Sequence, residues 1–339
     1  MENSSDVTSI VLTAYYGMEK LKHEYFSIFL IIYIIIITEN IILISVIGVE
    51  KTLHEPMYFF IGNLAANGVY GSTILLPALL SNLLSTKYEV SLACCQTQTY
   101  GLHTYATIEF TILAVMSYDR YAAICHPLHY HTMMSLSKVY KLIVFTWVYP
   151  LIAFLFFFII NLQLRFCQQV IDKLYCTNFS LVKLSCSNTA VINIVGLASV
   201  VLYSFPQLVM VLFSYAKIFR ICLSSRKMKN KAITTCTPHL FAVLMYSIGC
   251  FFEILQSRFD LRHLPYETHV FMSIFFLIFP PFLNPLIYGL SIRSIRLSMF
   301  KCIKADGALV PNKHLIQPQY RMREHDVNKP MGGSKQSHS

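Results

Sequence analysis

The sequence predicts an all-α membrane protein: a seven-transmembrane helix bundle with a short amphipathic helix after the last span. Three observations carry that prediction. Of 339 residues, 55% are hydrophobic and only 13% are charged. The apolar residues fall in blocks of about 20 or more, the length a helix needs to cross roughly 30 Å of hydrocarbon. Short polar connections separate the blocks, and Lys and Arg gather in alternate ones.

Taken in order, the spans fall at 26–49, 57–84, 92–124, 142–162, 191–219, 238–256 and 269–290. Residues 1–25 lack the apolar core of a cleavable signal peptide, so the first span is expected to act as the signal anchor. Orientation follows from the basic residues. One set of connections, taken with the C-terminal segment and with Arg120 and Lys217 at the ends of their spans, holds 19 of the 27 Lys and Arg, and the other side holds 8. The N-terminus is therefore expected outside the cell and the C-terminus in the cytoplasm, with the bundle, 26–290, in the plasma membrane. Much of the +10 net charge is this bias toward anionic membrane lipids, and the basic balance does not call for nucleic acid.

The longest connection, 165–190, lies on the outer side. Residues 291–303 alternate apolar and basic positions, the pattern of an amphipathic membrane-surface helix. Cys302 in it is either a lipidation site or an unmodified thiol. Residues 304–339 turn polar with scattered Pro and Gly, and a disordered cytoplasmic tail is expected there. Asn3-Ser4-Ser5 is an outer-side glycosylation sequon, and Asn178-Phe179-Ser180 is a second, weaker one. Cys94, Cys95, Cys167, Cys176 and Cys186 lie where oxidation is allowed, enough for two bridges and one thiol.

Within the spans, ionisable groups mark function, because they are costly in a bilayer. Asp119 and Arg120 sit side by side at the inner end of the third span. The arginine cannot shed its charge, so it must pair with Asp119 or with a group arriving from the aqueous side, as a switch would. Glu109 lies 11 residues earlier, about 16 Å toward the outside and deep in the bundle. In the seventh span, Pro285 removes a backbone hydrogen bond and kinks the helix, and Asn284 can re-satisfy the freed carbonyl.

A small-molecule cavity is expected in the outer half, where polar groups converge within an apolar wall. By helical spacing, His103, Ala106, Thr107 and Phe110 share a face of the third span with Leu102. Ser199 and Tyr203 are one turn apart on the fifth, and Tyr246, Gly249, Cys250 and Glu253 form a stripe on the sixth, with Arg258 at its mouth. Ile274 and Ile278 are candidates on the seventh. His103 and Glu253 are the ionisable candidates for ligand discrimination, Glu253 for cationic ligands in particular.

Five motifs then point to one family. Pro56-Met57-Tyr58-Phe59-Phe60 opens the second span, and the third ends in Met116-Ser117-Tyr118-Asp119-Arg120-Tyr121-Ala122-Ala123-Ile124-Cys125-His126-Pro127-Leu128. Ser214-Tyr215 closes the fifth, Lys231-Ala232-Ile233-Thr234-Thr235-Cys236-Thr237-Pro238-His239-Leu240 opens the sixth, and Pro281-Phe282-Leu283-Asn284-Pro285-Leu286-Ile287-Tyr288 closes the seventh. In this combination and order the chain resembles an odorant receptor of the rhodopsin-like class A G-protein-coupled receptor superfamily. Asn67-Gly68-Val69-Tyr70-Gly71 and the polar tail look like its fish, or aquatic-vertebrate, branch.

That resemblance implies a cell-surface receptor that binds an odorant in the bundle, activates a heterotrimeric stimulatory G protein and raises cyclic AMP. It implies that Arg120, Tyr215 and Tyr288 rearrange together, with Asp119, Tyr121, Asn284 and Pro285 in the switch. It pairs Cys95 with Cys176 and Cys167 with Cys186. It also puts Glu109 near a midplane polar or sodium pocket with Asn40 and Asn284, where a protonated Glu109 and a sodium site are both open. The acid that locks the arginine in many relatives has no counterpart here, since residues 220–252 contain none.

Other classes fit poorly. The chain lacks a nucleophile–base set or tight metal-ligand spacing, so neither an enzyme nor a cofactor or metal is expected. A covalent opsin needs a lysine in 269–290, and none is there. A transporter should show paired broken helices or internal repeats, whereas the breaks that stand out are Pro285 and Pro206 without symmetry. A non-olfactory chemosensory receptor on the same scaffold is the alternative.

Overall fold

The computed structural model describes residues 7–186, 190–224, 226–258 and 266–299. Seven long helices run through them: α1 (Lys22–Val49), α2 (Pro56–Leu84), α3 (Leu92–Cys125), α5 (Leu136–Leu162), α7 (Ala190–Ser224), α8 (Arg226–Arg258) and α9 (Tyr266–Ser291). Two short helices, α4 (Tyr130–Met133) and α6 (Asn178–Lys183), sit in connections. Helix α8 begins at Arg226, well before the apolar block at 238, because apolarity marks the bilayer and not the helix end. Asn3, Cys302 and the tail 304–339 lie outside the described residues, as does the side chain of Ser199.

Six of the long helices are apolar enough to cross a membrane by composition, and α3 is not among them. Its sequence is rich in Thr, Tyr and Gln, and it is flanked by α2, α5, α7 and α8. A helix covered by protein on most sides need not be lipid-like. Its hydroxyls are absorbed locally: Thr104 donates to the Gly101 carbonyl at 2.9 Å, and Thr111 to that of Thr107 at 2.7 Å. The outer helices carry the lipid-facing side chains instead, with Ile31 and Ile34 on α1, Ile152 and Phe156 on α5, and Leu202 and Phe205 on α7 all exposed. Exposed belts of this kind suit a bilayer and not water.

Prolines lie inside α2, α5, α7, α8 and α9, more widely than at Pro206 and Pro285 alone. At Pro285 the outcome differs from the expectation. The freed carbonyl four residues back, that of Pro281, accepts from Asn40 Nδ2 of α1 at 2.8 Å, and Asn284 turns instead toward α3. Close packing makes this reach possible: a Cβ at Gly68 of α2 would stand 3.1 Å from both Asn40 Oδ1 and Pro281 Cβ.

The segment before the first span is structured from residue 7. Strand β1 (Ser9–Leu12) is the middle of a three-stranded sheet, antiparallel to β2 (Glu89–Ser91) and parallel to β3 (Val170–Ile171). A 3-10 segment, Thr13–Leu21, follows and buries Tyr15 and Met18 completely. Tyr15 donates to the Leu174 carbonyl at 2.7 Å and stacks on Tyr88. Cys95–Cys176 and Cys167–Cys186 are bridged and staple the 163–186 connection over this end of the bundle as a lid, while Cys94 is an exposed thiol. Beyond a break at Ile292, residues 293–299 are helical, with Ile295 buried and Arg293 and Arg296 exposed.

Candidate functional site

Beneath the lid, α3, α5, α7 and α8 enclose a cavity of about 660 Å³. His103, Ala106, Thr107 and Phe110 line it from α3, Tyr203 from α7, and Cys250 and Glu253 from α8. Tyr246 stands behind the wall: it is buried, donates to the Ala106 carbonyl at 2.8 Å and meets Phe110 edge-on. Ile274 and Ile278 pack in the core away from the cavity, where Phe276 represents α9. Sequence spacing missed the wall built by α5 and the lid, including Phe154, Phe157, Asn161 and Asn178. Asn161 is the last polar residue of its apolar block, and that is its signal in the sequence.

His103 is held by its own helix. Its Nδ1 lies 2.9 Å from the Thr99 carbonyl, and a carbonyl only accepts, so Nδ1 carries the hydrogen. Glu253 is not the open anion that its sequence position suggested. Lys173, 80 residues away on the lid, binds its carboxylate at 2.7 Å. A cationic ligand would have to displace that ammonium.

The lid's approach to the cavity is also specified by side chains. Gln98 accepts the Cys176 backbone N–H at 2.9 Å, and Thr177 caps α6 by accepting from Ser180. Asn178, the first residue of α6, accepts from Asn161 Nδ2 at 2.7 Å and faces the cavity.

At mid-bundle, Glu109 is 1% exposed and accepts from two amides, Asn67 Nδ2 at 2.7 Å and Asn284 Nδ2 at 2.8 Å. One carboxylate thus joins α2, α3 and α9. Asn40 spends its donors on the Ile36 and Pro281 carbonyls and not on Glu109. The side-chain oxygens of Asn40 and Asn67 are buried without a hydrogen-bond partner among the described residues. Amide and carboxylate oxygens are the kind of ligand that a hard cation takes.

Toward the far end of α3, Asp119 is fully buried and pairs with Arg120 through both Nε, at 3.0 Å, and a terminal guanidinium nitrogen. Its other oxygen accepts from Tyr130 of α4 at 2.7 Å. Burial, and after it the Asp119 carboxylate, raises the Tyr130 phenol well above its ordinary value, so it stays a donor. Tyr121 pairs with His126 at 2.9 Å.

A second latch lies beside the first. Tyr215 of α7 meets His239 Nδ1 at 2.5 Å, and His239 Nε2 meets the Leu113 carbonyl of α3 at 3.0 Å. The carbonyl requires hydrogen on Nε2, which leaves Nδ1 to accept from the phenol. Three helices are thereby tied through one imidazole. The Tyr288 hydroxyl is buried with no hydrogen-bond partner among the described residues. Arg120, Tyr215 and Tyr288 are therefore separately engaged here: the first by Asp119, the second by His239, the third by packing. His239 carried no assigned role in the sequence, although a histidine inside a span is itself a functional signal.

A model of the family described as "Olfactory receptor" matches residues 29–305. The human protein Olfactory receptor 6S1 is 34% identical over 299 residues, 87% of this chain and 89% of that one. Olfactory receptor 4B13 of Mus musculus is 31% identical over 294 residues, covering 86% and 94%. Among solved structures, squid rhodopsin superposes with a TM-score of 0.67 at 17% identity, over 89% of this chain and 92% of that one.

Proposed function

This chain belongs to the olfactory receptor family, receptors and not enzymes, and from that premise we propose that it is an odorant receptor of the plasma membrane. A small organic molecule enters from the N-terminal, extracellular side and occupies the cavity under the lid. By binding the active arrangement better, it shifts a pre-existing equilibrium. The Arg120 end then opens on the cytoplasmic side to a stimulatory heterotrimeric G protein, and cyclic AMP rises. Membership of the aquatic-vertebrate branch is part of this reading, supported by the resemblance of Asn67-Gly68-Val69-Tyr70-Gly71 and of the polar tail.

One observation supports this reading above the others: the helices that wall the cavity also carry the latches. Helix α3 bears His103 at the cavity and Arg120 at the far end, and α8 bears Glu253 and His239. A ligand that repositions α8 by its upper end must load the Tyr215–His239 bond at its lower end. Relief of that bond would free the sixth span to move outward, and Arg120 to exchange Asp119 for a G-protein group.

The test is a cyclic AMP reporter in cells with verified surface expression, screened with neutral odorants, amines, amino acids and carboxylic acids. An active ligand whose response disappears in Arg120→Ala is the expected result. A response that survives this substitution undiminished would remove Arg120 from the coupling.

A further inference from the structure

Glu253 is the charged side chain on the cavity wall among the described residues, and Lys173 already neutralises it at 2.7 Å. A ligand with a single charge must either break that pair or sit uncompensated against an aromatic wall, and both are costly. The remaining polar groups are neutral and point to something more specific.

His103 donates from Nδ1 to the Thr99 carbonyl, and no carboxylate among the described residues is bonded to the ring. The imidazole is therefore neutral, and its Nε2 is an acceptor on the cavity wall. Asn178 presents the opposite chemistry. Its carboxamide oxygen is taken by Asn161 at 2.7 Å, which leaves the Nδ2 donors of a cavity-lining residue. Gln96 donates to the Asn161 backbone carbonyl at 3.0 Å, which sets the Asn161 backbone at the level of Gln96 on α3. Gln96 precedes His103 by seven residues, about 10 Å along the helix. Phe154 and Phe157 line the interval.

We propose that the cavity takes an uncharged, rigid ligand with a hydroxyl at one end and a carbonyl at the other, about 10 Å apart. The hydroxyl donates to His103 Nε2, and the carbonyl accepts from Asn178 Nδ2. A fused-ring hydroxyketone of steroid size has that separation and fits within about 660 Å³. Asn178 is then a binding residue: its amide is turned into the cavity, which removes the second sequon from use. The ligand class rests on the receptor reading above, but its binding is measurable without signalling.

The experiment compares testosterone, a 17-hydroxy-3-ketone, with androstenedione, in which the hydroxyl is oxidised to a ketone, and with the 17-amino analogue. Binding is read as the concentration-dependent rise in Tm of the purified full-length receptor, so the wild-type series alone carries the result. The hydroxyketone should bind roughly tenfold more tightly than the dione, whose second carbonyl leaves Nε2 without a donor. The amine should be weaker than the hydroxyketone by at least the same factor. In His103→Phe the preference for hydroxyketone over dione should vanish, while Asn178→Ala should weaken both alike. No Tm rise with the hydroxyketone, or equal affinity for dione or amine, overturns the proposal. Binding without G-protein activation would leave it intact and remove the proposed function. Activation by the amine and not by the hydroxyketone would do the reverse.

Discussion

Asn40 of α1 donates to the carbonyl of Pro281 in α9, across 241 residues of sequence, at 2.8 Å. That carbonyl is the one Pro285 strands, because proline has no N–H to offer the residue four positions back. The first helix thus completes the backbone of the last. An isolated buried carbonyl costs about 1–3 kcal/mol, which is what the asparagine removes.

Asn40→Ala should accordingly lower stability by about 1–3 kcal/mol. In a Pro285→Ala background the cost should shrink, since residue 285 regains an N–H for the same carbonyl. Thermal unfolding of the four receptors of this cycle reads the coupling. Equal costs in both backgrounds would show that Asn40 does not serve the kink.

If the Tyr215–His239 bond restrains the resting state, in place of an acid at the foot of α8, its removal should raise basal activity. His239→Ala should raise ligand-independent signalling about fivefold, the population change expected for roughly 1 kcal/mol. Adding Tyr215→Phe should bring no further rise, because the bond is already gone. Basal cyclic AMP, normalised to surface expression, decides it; an unchanged baseline in His239→Ala counts against the latch.

Glu109 makes a separate prediction. If the carboxylate and the amide oxygens of Asn40 and Asn67 hold a sodium ion, Glu109→Gln should abolish the sodium dependence of ligand response while retaining one of the two amide bonds. Glu109→Leu should lose both bonds and cost a further ~1–3 kcal/mol in thermal unfolding. Identical salt responses in wild type and Glu109→Gln would assign the site to hydrogen bonding alone.

The strand β1 offers the cleanest test of the lid. The Val11 N–H donates to the Gln169 carbonyl at 2.7 Å, and Val11→Pro deletes that donor in a central strand, where proline is not tolerated. Surface expression and Tm should both fall, whereas Thr8→Pro, before the strand, should be near neutral. A Val11→Pro receptor of wild-type stability would mean that β1 does not hold the lid.

The spans were legible because bilayer thickness imposes a length on apolar blocks, and α3 was legible by length despite its polarity. Motifs placed Asp119, Arg120, Tyr215 and Tyr288 on particular helices. Helical spacing likewise put His103, Ala106, Thr107 and Phe110 on one face, and the cavity is lined by that face. What escaped were partners without a period: β1 pairs through four residues with segments about 80 and 160 positions away. Lys173 sits in a connection with no repeat to mark it, and it alters what Glu253 can bind.

The family, the number of spans and the residues costly enough to matter are properties of composition and local order, and the chain carries them unfolded. Which polar group satisfies which is another kind of fact. Asn284 and Asn40 are equally able donors by chemistry, and only the crossing of α1, α2 and α9 at Gly68 gives the Pro281 carbonyl to one and Glu109 to the other. Hydrogen bonds act over about 3 Å, so their assignment belongs to the packing that brings distant helices within that range.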